Sequence, residues 1–456
     1  MVLILDIGLI DRIQDATELL EQQRFEEAVT VLQFPEDDSY KPVESAEVFF
    51  NRATALEGLG RLEEALECYE KLLAIAPFEP VVHYNCGCLL RKLGRYEPAL
   101  AHFSKAVELK PGYAYAYYNR GNLRRQFGRD QEALADYNHA IEQESSDPDF
   151  YVARGSIYAD SHELENALRD FDRALQLSPN NIAAHGNRGN VLEMMEHFDE
   201  AMQEYNRVIE LNPGDYRAYL NRGYVYFKRE MYDEALQDYS TVVKIRPNEA
   251  KGFANRGIVH LKKKHMHRAL GDFDEALRLA PKESEYLIRR SQIKSSLGDL
   301  LGALDDVTFS IKLNSQKWEA YYQLGIVNAM LNRLDQAIDA YTKMAVMHPN
   351  YASGYCYRGV AYAKLGKVTE ALADYDRALE LSPNHVAALL NRGIIYRLLG
   401  NTDASVSDLT RAIELDSNNS IAYRNRALVL ASLGRDAEAA KDHAKADQIE
   451  KGRQLA

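Results

Sequence analysis

"NRGYVYFKREMYDEALQDYSTVVKIRP", residues 221–247, carries the pattern that decides the fold. Its opening tripeptide is Asn221–Arg222–Gly223, and the same three residue types recur at 119–121, 187–189, 255–257 and 391–393. Asn and Gly are poor residues for a helix interior, and each costs roughly 0.7–1 kcal/mol relative to Ala. A costly tripeptide that recurs in this way indicates a role in packing or in binding.

The chain repeats itself every 34 residues. A small residue stands at 53, 87, 121, 155, 189, 223, 257, 291, 325, 359, 393 and 427, and nine of these twelve are Gly. We number the repeats one to twelve in this order. Twelve residues after the small residue comes Ala in eleven repeats, sixteen after it comes an aromatic ring in nine, and twenty-four after it comes Pro in eight. Gly or Ala lets two helices approach closely, rings fill the space around the contact, and Pro ends the second helix. The pattern therefore predicts a tandem array of antiparallel helical hairpins.

These columns resemble the tetratricopeptide repeat family over nearly the whole chain. The resemblance implies an all-α fold, a right-handed superhelical solenoid of 34-residue helix-turn-helix repeats with a concave groove. We expect twelve repeats over 46–445 and the end of the last helix over 446–456, as one continuous solenoid. Residues 1–45 are expected to form a degenerate capping hairpin around Ala16 and Ala28, followed by the acidic loop "PEDDSYKP". A capping hairpin with a polar outer face is typical of repeat arrays.

The Arg of the tripeptide predicts an ion pair inside each hairpin. It precedes the small residue in ten of twelve repeats, and an acid lies fifteen residues after the small residue in nine, all of which have the Arg. Of the three repeats without the acid, two also lack the Arg. Pairing each acid with the Arg of the following repeat fits less well, in eight of eleven junctions. Arg222 is therefore expected to pair with Asp238, in a structural role.

The Asn of the tripeptide has two interpretations. It stands two residues before the small residue in eight repeats, as Asn51, Asn85, Asn119, Asn187, Asn221, Asn255, Asn391 and Asn425. In the related superhelical region of O-GlcNAc transferase, an inner row of asparagines holds extended peptide backbones, and an amide can both donate and accept hydrogen bonds. The resemblance thus implies a groove that binds a peptide. The alternative is that the Asn side chains bond only to neighbouring helices.

Two first helices carry the strongest candidate binding surfaces, because residues three and four apart share one helix face. In repeat three these residues are Tyr115, Tyr118, Asn119, Asn122, Arg125 and Gln126. In repeat six they are Arg217, Leu220, Asn221, Tyr224, Phe227 and Lys228. Aromatic and Arg side chains are common interface anchors. The alternative is that some of the rings only fill gaps between repeats.

Composition narrows the class of function. The net charge of −13 disfavours nonspecific binding to nucleic acid or anionic lipid. Four cysteines in 456 residues indicate a reducing compartment, the cytoplasm, and no apolar run reaches the 18 residues of a membrane span. The sequence contains no nucleotide-binding loop, dinucleotide fingerprint or zinc-protease motif, and His265 with His267 is too few for a metal site.

We therefore expect a non-catalytic scaffold, without cofactor or metal, that binds an extended segment of a partner protein within a larger assembly. One alternative is a regulatory subunit that positions the substrates of an enzyme. Another is an oligomer that assembles through its terminal hairpins. Both alternatives are compatible with the repeat pattern.

Overall fold

The computed structural model describes residues 7–32 and 42–454. Within these ranges the chain forms 26 α-helices and no strand, which confirms the predicted all-α solenoid of tandem hairpins. The chain divides into two compact units, Met1–Val225 and Tyr226–Ala456. The predicted acidic loop lies outside the described residues, apart from Pro42, which begins a helix four residues before the predicted start of the array. Pro suits the first turn of a helix, because its missing N–H has no partner there.

The first unit contains the predicted capping hairpin and the first five repeats. Ala16 and Ala28 of the capping hairpin are fully buried. The helices are α1 (Ile7–Glu21), α2 (Phe25–Val31), α3 (Pro42–Gly58), α4 (Leu62–Ile75), α5 (Pro80–Lys92), α6 (Tyr96–Leu109), α7 (Ala114–Gln126), α8 (Asp130–Gln143), α9 (Pro148–Asp160), α10 (Leu164–Leu177), α11 (Ile182–Met194), α12 (Phe198–Leu211) and most of α13 (Tyr216–Lys228).

The second unit contains the remaining hairpins and the terminal helix. Its helices are α14 (Tyr232–Ile245), α15 (Ala250–Lys262), α16 (Met266–Leu279), α17 (Ser284–Ser296), α18 (Leu300–Leu313), α19 (Trp318–Met330), α20 (Leu334–Met347), α21 (Ala352–Lys364), α22 (Val368–Leu381), α23 (Val386–Leu398), α24 (Thr402–Leu415), α25 (Ser420–Ser432) and α26 (Asp436–Gln454).

A buried ring explains why Gly occurs inside the first helix of most hairpins. A β-carbon on Gly121 would lie 2.7 Å from Cε1 of Tyr137, and one on Gly87 would lie 2.7 Å from Cε1 of Phe103. Both rings are fully buried. The ring of the second helix therefore packs directly on the backbone of the first. Burying such a ring contributes about 1.5–3 kcal/mol, which exceeds the roughly 1 kcal/mol that Gly costs the helix.

The predicted ion pairs inside hairpins are confirmed in eight repeats. Nitrogen–oxygen distances of 2.6 to 2.8 Å join Arg120 to Asp136, Arg154 to Asp170, Arg188 to Glu204, Arg256 to Asp272, Arg290 to Asp306, Arg358 to Asp374, Arg392 to Asp408 and Arg426 to Asp442. In five of these repeats the acid lies directly before the buried ring, so the contact between the two helices brings it to the Arg. The contact between Arg222 and Asp238 stays a prediction.

The same Arg also reaches the preceding hairpin, which the sequence analysis missed. Arg188 lies 2.7 Å from Asp172, Arg392 lies 2.6 Å from Asp376, and Arg154 donates to the side-chain oxygen of Asn138 at 2.7 Å. The acceptor stands seventeen residues after the small residue of the preceding repeat, and it varies between Asp, Asn and Thr. One guanidinium group therefore bonds to two consecutive second helices.

Breaking one pair should destabilise its hairpin. Asp374 is 5% exposed, so Asp374→Ala leaves the Arg358 charge without its carboxylate and should cost about 3 kcal/mol. Adding Arg358→Leu should recover part of that loss. Asp376→Ala is the matched control, because Asp376 is half exposed and its pair with Arg392 should contribute about 1 kcal/mol or less. Urea unfolding and hydrogen exchange of α21 and α22 would measure the effects. Strict additivity of the two single changes would contradict a direct pair.

Repeat two replaces the ion pair with a pair of histidines. Nδ1 of His83 lies 3.1 Å from Nδ1 of His102, and Nε2 of His83 lies 3.1 Å from the Pro77 carbonyl oxygen. That oxygen can only accept, so Nε2 of His83 carries its proton and Nδ1 of His83 accepts from Nδ1–H of His102. Burial, and secondly the proximity of His83, lowers the pKa of His102 below its ordinary value of 6.5.

This pKa shift predicts that repeat two weakens in acid. Because the pKa of His102 is lower in the folded chain, the unfolded chain binds more protons once the pH falls below 6.5. The stability is therefore complete above pH 6.5 and is lost as the pH falls toward the folded-state pKa. Hydrogen exchange of α5 and α6 at pH 7.5 and 5.5 would measure the change. His102→Gln should remove most of it, and an unchanged pH dependence in this variant would contradict the assignment.

Candidate functional site

The asparagine column lies on the first helices, and its amide groups connect neighbouring repeats. Nδ2 of Asn187 donates to Oγ of Ser156 at 3.1 Å, and Nδ2 of Asn221 donates to Oδ1 of Asn190 at 2.7 Å. Each acceptor belongs to the first helix of the preceding repeat. The Oδ1 atoms of Asn187 and Asn221 accept no hydrogen bond from the described residues. Both side chains are partly exposed. Each amide is therefore anchored at its nitrogen and open at its oxygen.

The other asparagines of the column vary in their contacts. Asn119 is only 8% exposed, and its Nδ2 donates to the Tyr84 hydroxyl and the Tyr115 carbonyl oxygen. The Nδ2 atoms of three others donate as well: Asn85 to the Tyr69 hydroxyl, Asn51 to the Thr17 hydroxyl and Asn425 to the carbonyl oxygen of Ile421. Asn255 and Asn391 are partly exposed. These contacts fit the interpretation that the asparagines bond to neighbouring helices, as far as the NH₂ groups are concerned. That interpretation assigns no role to the amide oxygens of Asn187 and Asn221.

The predicted surface of repeat three is largely occupied by contacts within the chain. Tyr118 packs against Tyr137 and Phe150, with ring centres 6.0 and 5.0 Å away. Oδ1 of Asn122 accepts from the Tyr137 hydroxyl at 2.7 Å. Tyr118 thus fills a gap between repeats, as the alternative interpretation held.

Three other residues of that surface remain at least partly exposed. Tyr115 is 46% exposed, with one edge against Phe150, and Gln126 is exposed. Arg125 pairs with Asp160 at 2.7 Å, and about a third of its side chain is exposed. In repeat six, Arg217, Tyr224 and Lys228 are exposed, whereas Leu220 and Phe227 are partly buried. The structure therefore leaves both polar and aromatic groups accessible.

An open hollow of about 410 Å³ brings two predicted residues together, Arg125 and Asn187. Asp160, Asn190 and Met194 also line it. The Arg125–Asp160 pair is electrically neutral, and so are the amides and Met194, which is 46% exposed. His162 and the apolar residues Ala159, Phe171 and Val191 also line it. The hollow therefore offers both hydrogen-bonding and apolar side chains.

The sequence analysis missed Asn190 and Met194 as lining residues. They follow Asn187 by three and seven residues, so they lie on the helix face that the same spacing rule identified in repeats three and six. The same spacing rule, applied to Asn187 in repeat five, would have identified both residues.

None of the described helices combines the length and apolar character needed to cross a membrane. No three of the described His, Cys, Asp or Glu side chains are grouped as metal ligands.

Sequence models of the tetratricopeptide repeat match residues 44–112, 84–148, 155–196, 195–230, 216–249, 288–352, 352–385, 374–406 and 399–449. The chain belongs to the tetratricopeptide repeat family. Its repeat array is a protein-interaction scaffold in the general sense of that family. A comparison with curated proteins gives no match.

Solved structures of repeat proteins resemble the chain in fold. The APC/C hetero-tetramer Cut9–Hcn1 has 15% identity and a TM-score of 0.51, and the match covers 91% of this chain and 95% of that one. The match to YrrB, described as a TPR protein with an unusual peptide-binding site, has 26% identity and a TM-score of 0.37 over 43% of this chain and 99% of that one. A tetratricopeptide repeat protein from Parabacteroides merdae has 22% identity and a TM-score of 0.45, over 55% and 99%. At its identity, the Cut9–Hcn1 match supports the fold alone.

The two tyrosines of repeat three should respond differently to substitution. Tyr118→Ala removes a ring packed between two others and should destabilise the first unit by about 3 kcal/mol. Tyr115→Ala removes a half-exposed ring with one aromatic contact and should cost about 1 kcal/mol or less. Urea unfolding followed by circular dichroism would compare them. Equal losses would show that Tyr115 is also a packing residue.

Proposed function

We propose that the chain binds an extended segment of a partner protein along its first helices, and that the hollow beside Asn187 is part of this site. The observation that supports the proposal most directly is the open oxygen of the anchored amides. Because Nδ2 of Asn187 is held by Ser156 and Nδ2 of Asn221 by Asn190, each oxygen has a fixed direction before a ligand binds. A fixed acceptor loses little conformational entropy when it receives a backbone N–H.

The amides of the hollow also favour a peptide backbone as the ligand. Backbone N–H groups are donors common to every residue except Pro, so recognition through amide oxygens depends little on peptide sequence. Each such hydrogen bond should contribute about 0.5–1.5 kcal/mol. Exposed Met194 and Tyr115 add apolar area for side chains of the segment. Affinity would therefore come from many small contributions.

The compartment and the assembly are inferred on separate grounds. All four cysteines, Cys68, Cys86, Cys88 and Cys356, are unpaired, and three are buried. Unpaired cysteines are typical of a reducing compartment, which supports a cytoplasmic protein. A scaffold without a catalytic site would act within a larger assembly.

Changing two amides together tests the proposal. Peptides selected from a random-sequence display library on the intact chain would serve as the probe. Asn187→Ala with Asn221→Ala should weaken a selected peptide by about tenfold or more, since two hydrogen bonds of about 1 kcal/mol each are lost. Stability should change by about 1 kcal/mol or less, because Ala is the better helix former. Binding would be measured by calorimetry and stability by urea unfolding.

The matched control uses asparagines that face away from the proposed site. Asn138 and Asn206 lie on second helices and accept hydrogen bonds from Arg154 and Arg222. Asn138→Ala with Asn206→Ala should lower stability and leave peptide affinity unchanged. A double variant of Asn187 and Asn221 that melts earlier and binds normally would show that the column only joins repeats.

A further inference from the structure

Repeat nine contains a cavity where the other repeats of its unit carry an ion pair. Leu324 stands in the Arg position and Ala340 in the acid position. An open cavity of about 290 Å³ lies beside these two residues, lined by side chains of α18, α19 and α20. The cavity contains none of the groove asparagines, so it is independent of the proposed function.

In two other repeats of this unit a guanidinium group has three kinds of partner. The guanidinium carbon of Arg358 lies 5.4 Å from the ring centre of Tyr355, and its nitrogens bond to Asp374 at 2.7 Å and to Oγ1 of Thr342 at 3.1 Å. Repeat twelve has the same arrangement around Arg426, with Tyr423, Asp442 and Thr410. A ring, a carboxylate and a hydroxyl group together hold the planar cation.

The cavity of repeat nine retains the ring and the hydroxyl group. Tyr321 and Thr308 line it, and they occupy the repeat positions of Tyr355 and Thr342. Only the carboxylate has been lost, through Ala340. The arrangement is therefore that of a guanidinium site whose own arginine is missing.

Asn328 supplies an independent indication of a ligand. Its side chain is 4% exposed and lines the cavity, and its amide forms no hydrogen bond with the described residues. The amide oxygen of Asn328 can accept a hydrogen bond from a group that enters the cavity.

The charged side chains that line the cavity are two cations and one carboxylate. Lys343 lies 5.7 Å from the ring centre of Tyr321, and Asp339 and Arg333 also line the cavity. In repeat ten, Arg377 lies 6.0 Å from the ring centre of Tyr355 while Arg358 occupies the same ring. In repeat ten these two cations are paired with Asp374 and Glu380. In repeat nine, Asp339 is the carboxylate that lines the cavity.

We propose that this cavity binds the guanidinium group of an arginine side chain from a partner protein. The group stacks on the Tyr321 ring and donates to the hydroxyl of Thr308 and the amide oxygen of Asn328. A buried carboxylate is missing, so one arginine binds weakly and serves as one anchor within a larger contact surface. Arg is among the residues that most often anchor interfaces.

Nuclear magnetic resonance of the intact chain, with ¹⁵N-labelled asparagine, would test the proposal through the side-chain amide signals. The signal that is lost in Asn328→Leu is that of Asn328. N-acetyl-arginine amide should shift that signal, with saturation in the millimolar range. N-acetyl-lysine amide and N-acetyl-leucine amide should bind at least about tenfold more weakly, because neither has a planar fork of donors. Unchanged Asn328 signals in the presence of the arginine probe would overturn the proposal.

Two variants that restore residues found in the other repeats complete the test. Leu324→Arg fills the site with the chain's own guanidinium group and should abolish probe binding. Ala340→Asp restores the carboxylate and should tighten probe binding by about tenfold or more. Leu324→Arg has a counterpart in repeat one, where Arg52 is present and Cys68 stands in the acid position, and circular dichroism would establish that both variants fold. Normal probe binding by folded Leu324→Arg, or tighter binding of N-acetyl-glutamate amide than of the arginine probe, would show a different site.

Discussion

The contact between a buried ring and a helical glycine sets the separation of the two helices in a hairpin. Because Gly121 has no side chain, Tyr137 packs on the helix backbone, and the residue before that ring, Asp136, comes within reach of Arg120. Successive residues on a helix point about 100° apart. Gly therefore faces the partner helix, Arg reaches the acid and the preceding hairpin, and Asn reaches the neighbouring first helix. Three adjacent residues make three different packing contacts, which explains why a poor helical tripeptide is retained.

The features that the sequence predicted depend on columns that keep one residue type. Gly, the ring, the Arg and the acid recur often enough for their pairing to be inferred without coordinates. The residue that accepts the second hydrogen bond from the Arg, in the preceding hairpin, was missed. Asp, Asn and Thr can all accept there, so no one residue type recurs at that position. Tyr118 could not be assigned to packing in advance, since its contacts with Tyr137 and Phe150 depend on how two repeats meet.

The same limit applies to the cavity of repeat nine. Leu324 and Ala340 are visible in the sequence as departures from the pattern. The sequence does not show that the neighbouring side chains leave the space open, or that the side chain of Asn328 lines it. A repeat pattern shows which residues depart from it. Whether a departure leaves a cavity depends on how the side chains of three helices pack around it.

Each ion pair is completed within its own 34 residues, and the bond to the preceding hairpin is an addition to it. Arg392, for example, pairs with Asp408 of its own repeat and also with Asp376 of the preceding one. A copy of such a repeat can therefore be inserted or removed as a unit without leaving a buried charge unpaired. Recombination in steps of one repeat would therefore keep each of these Arg residues with the acid of its own repeat.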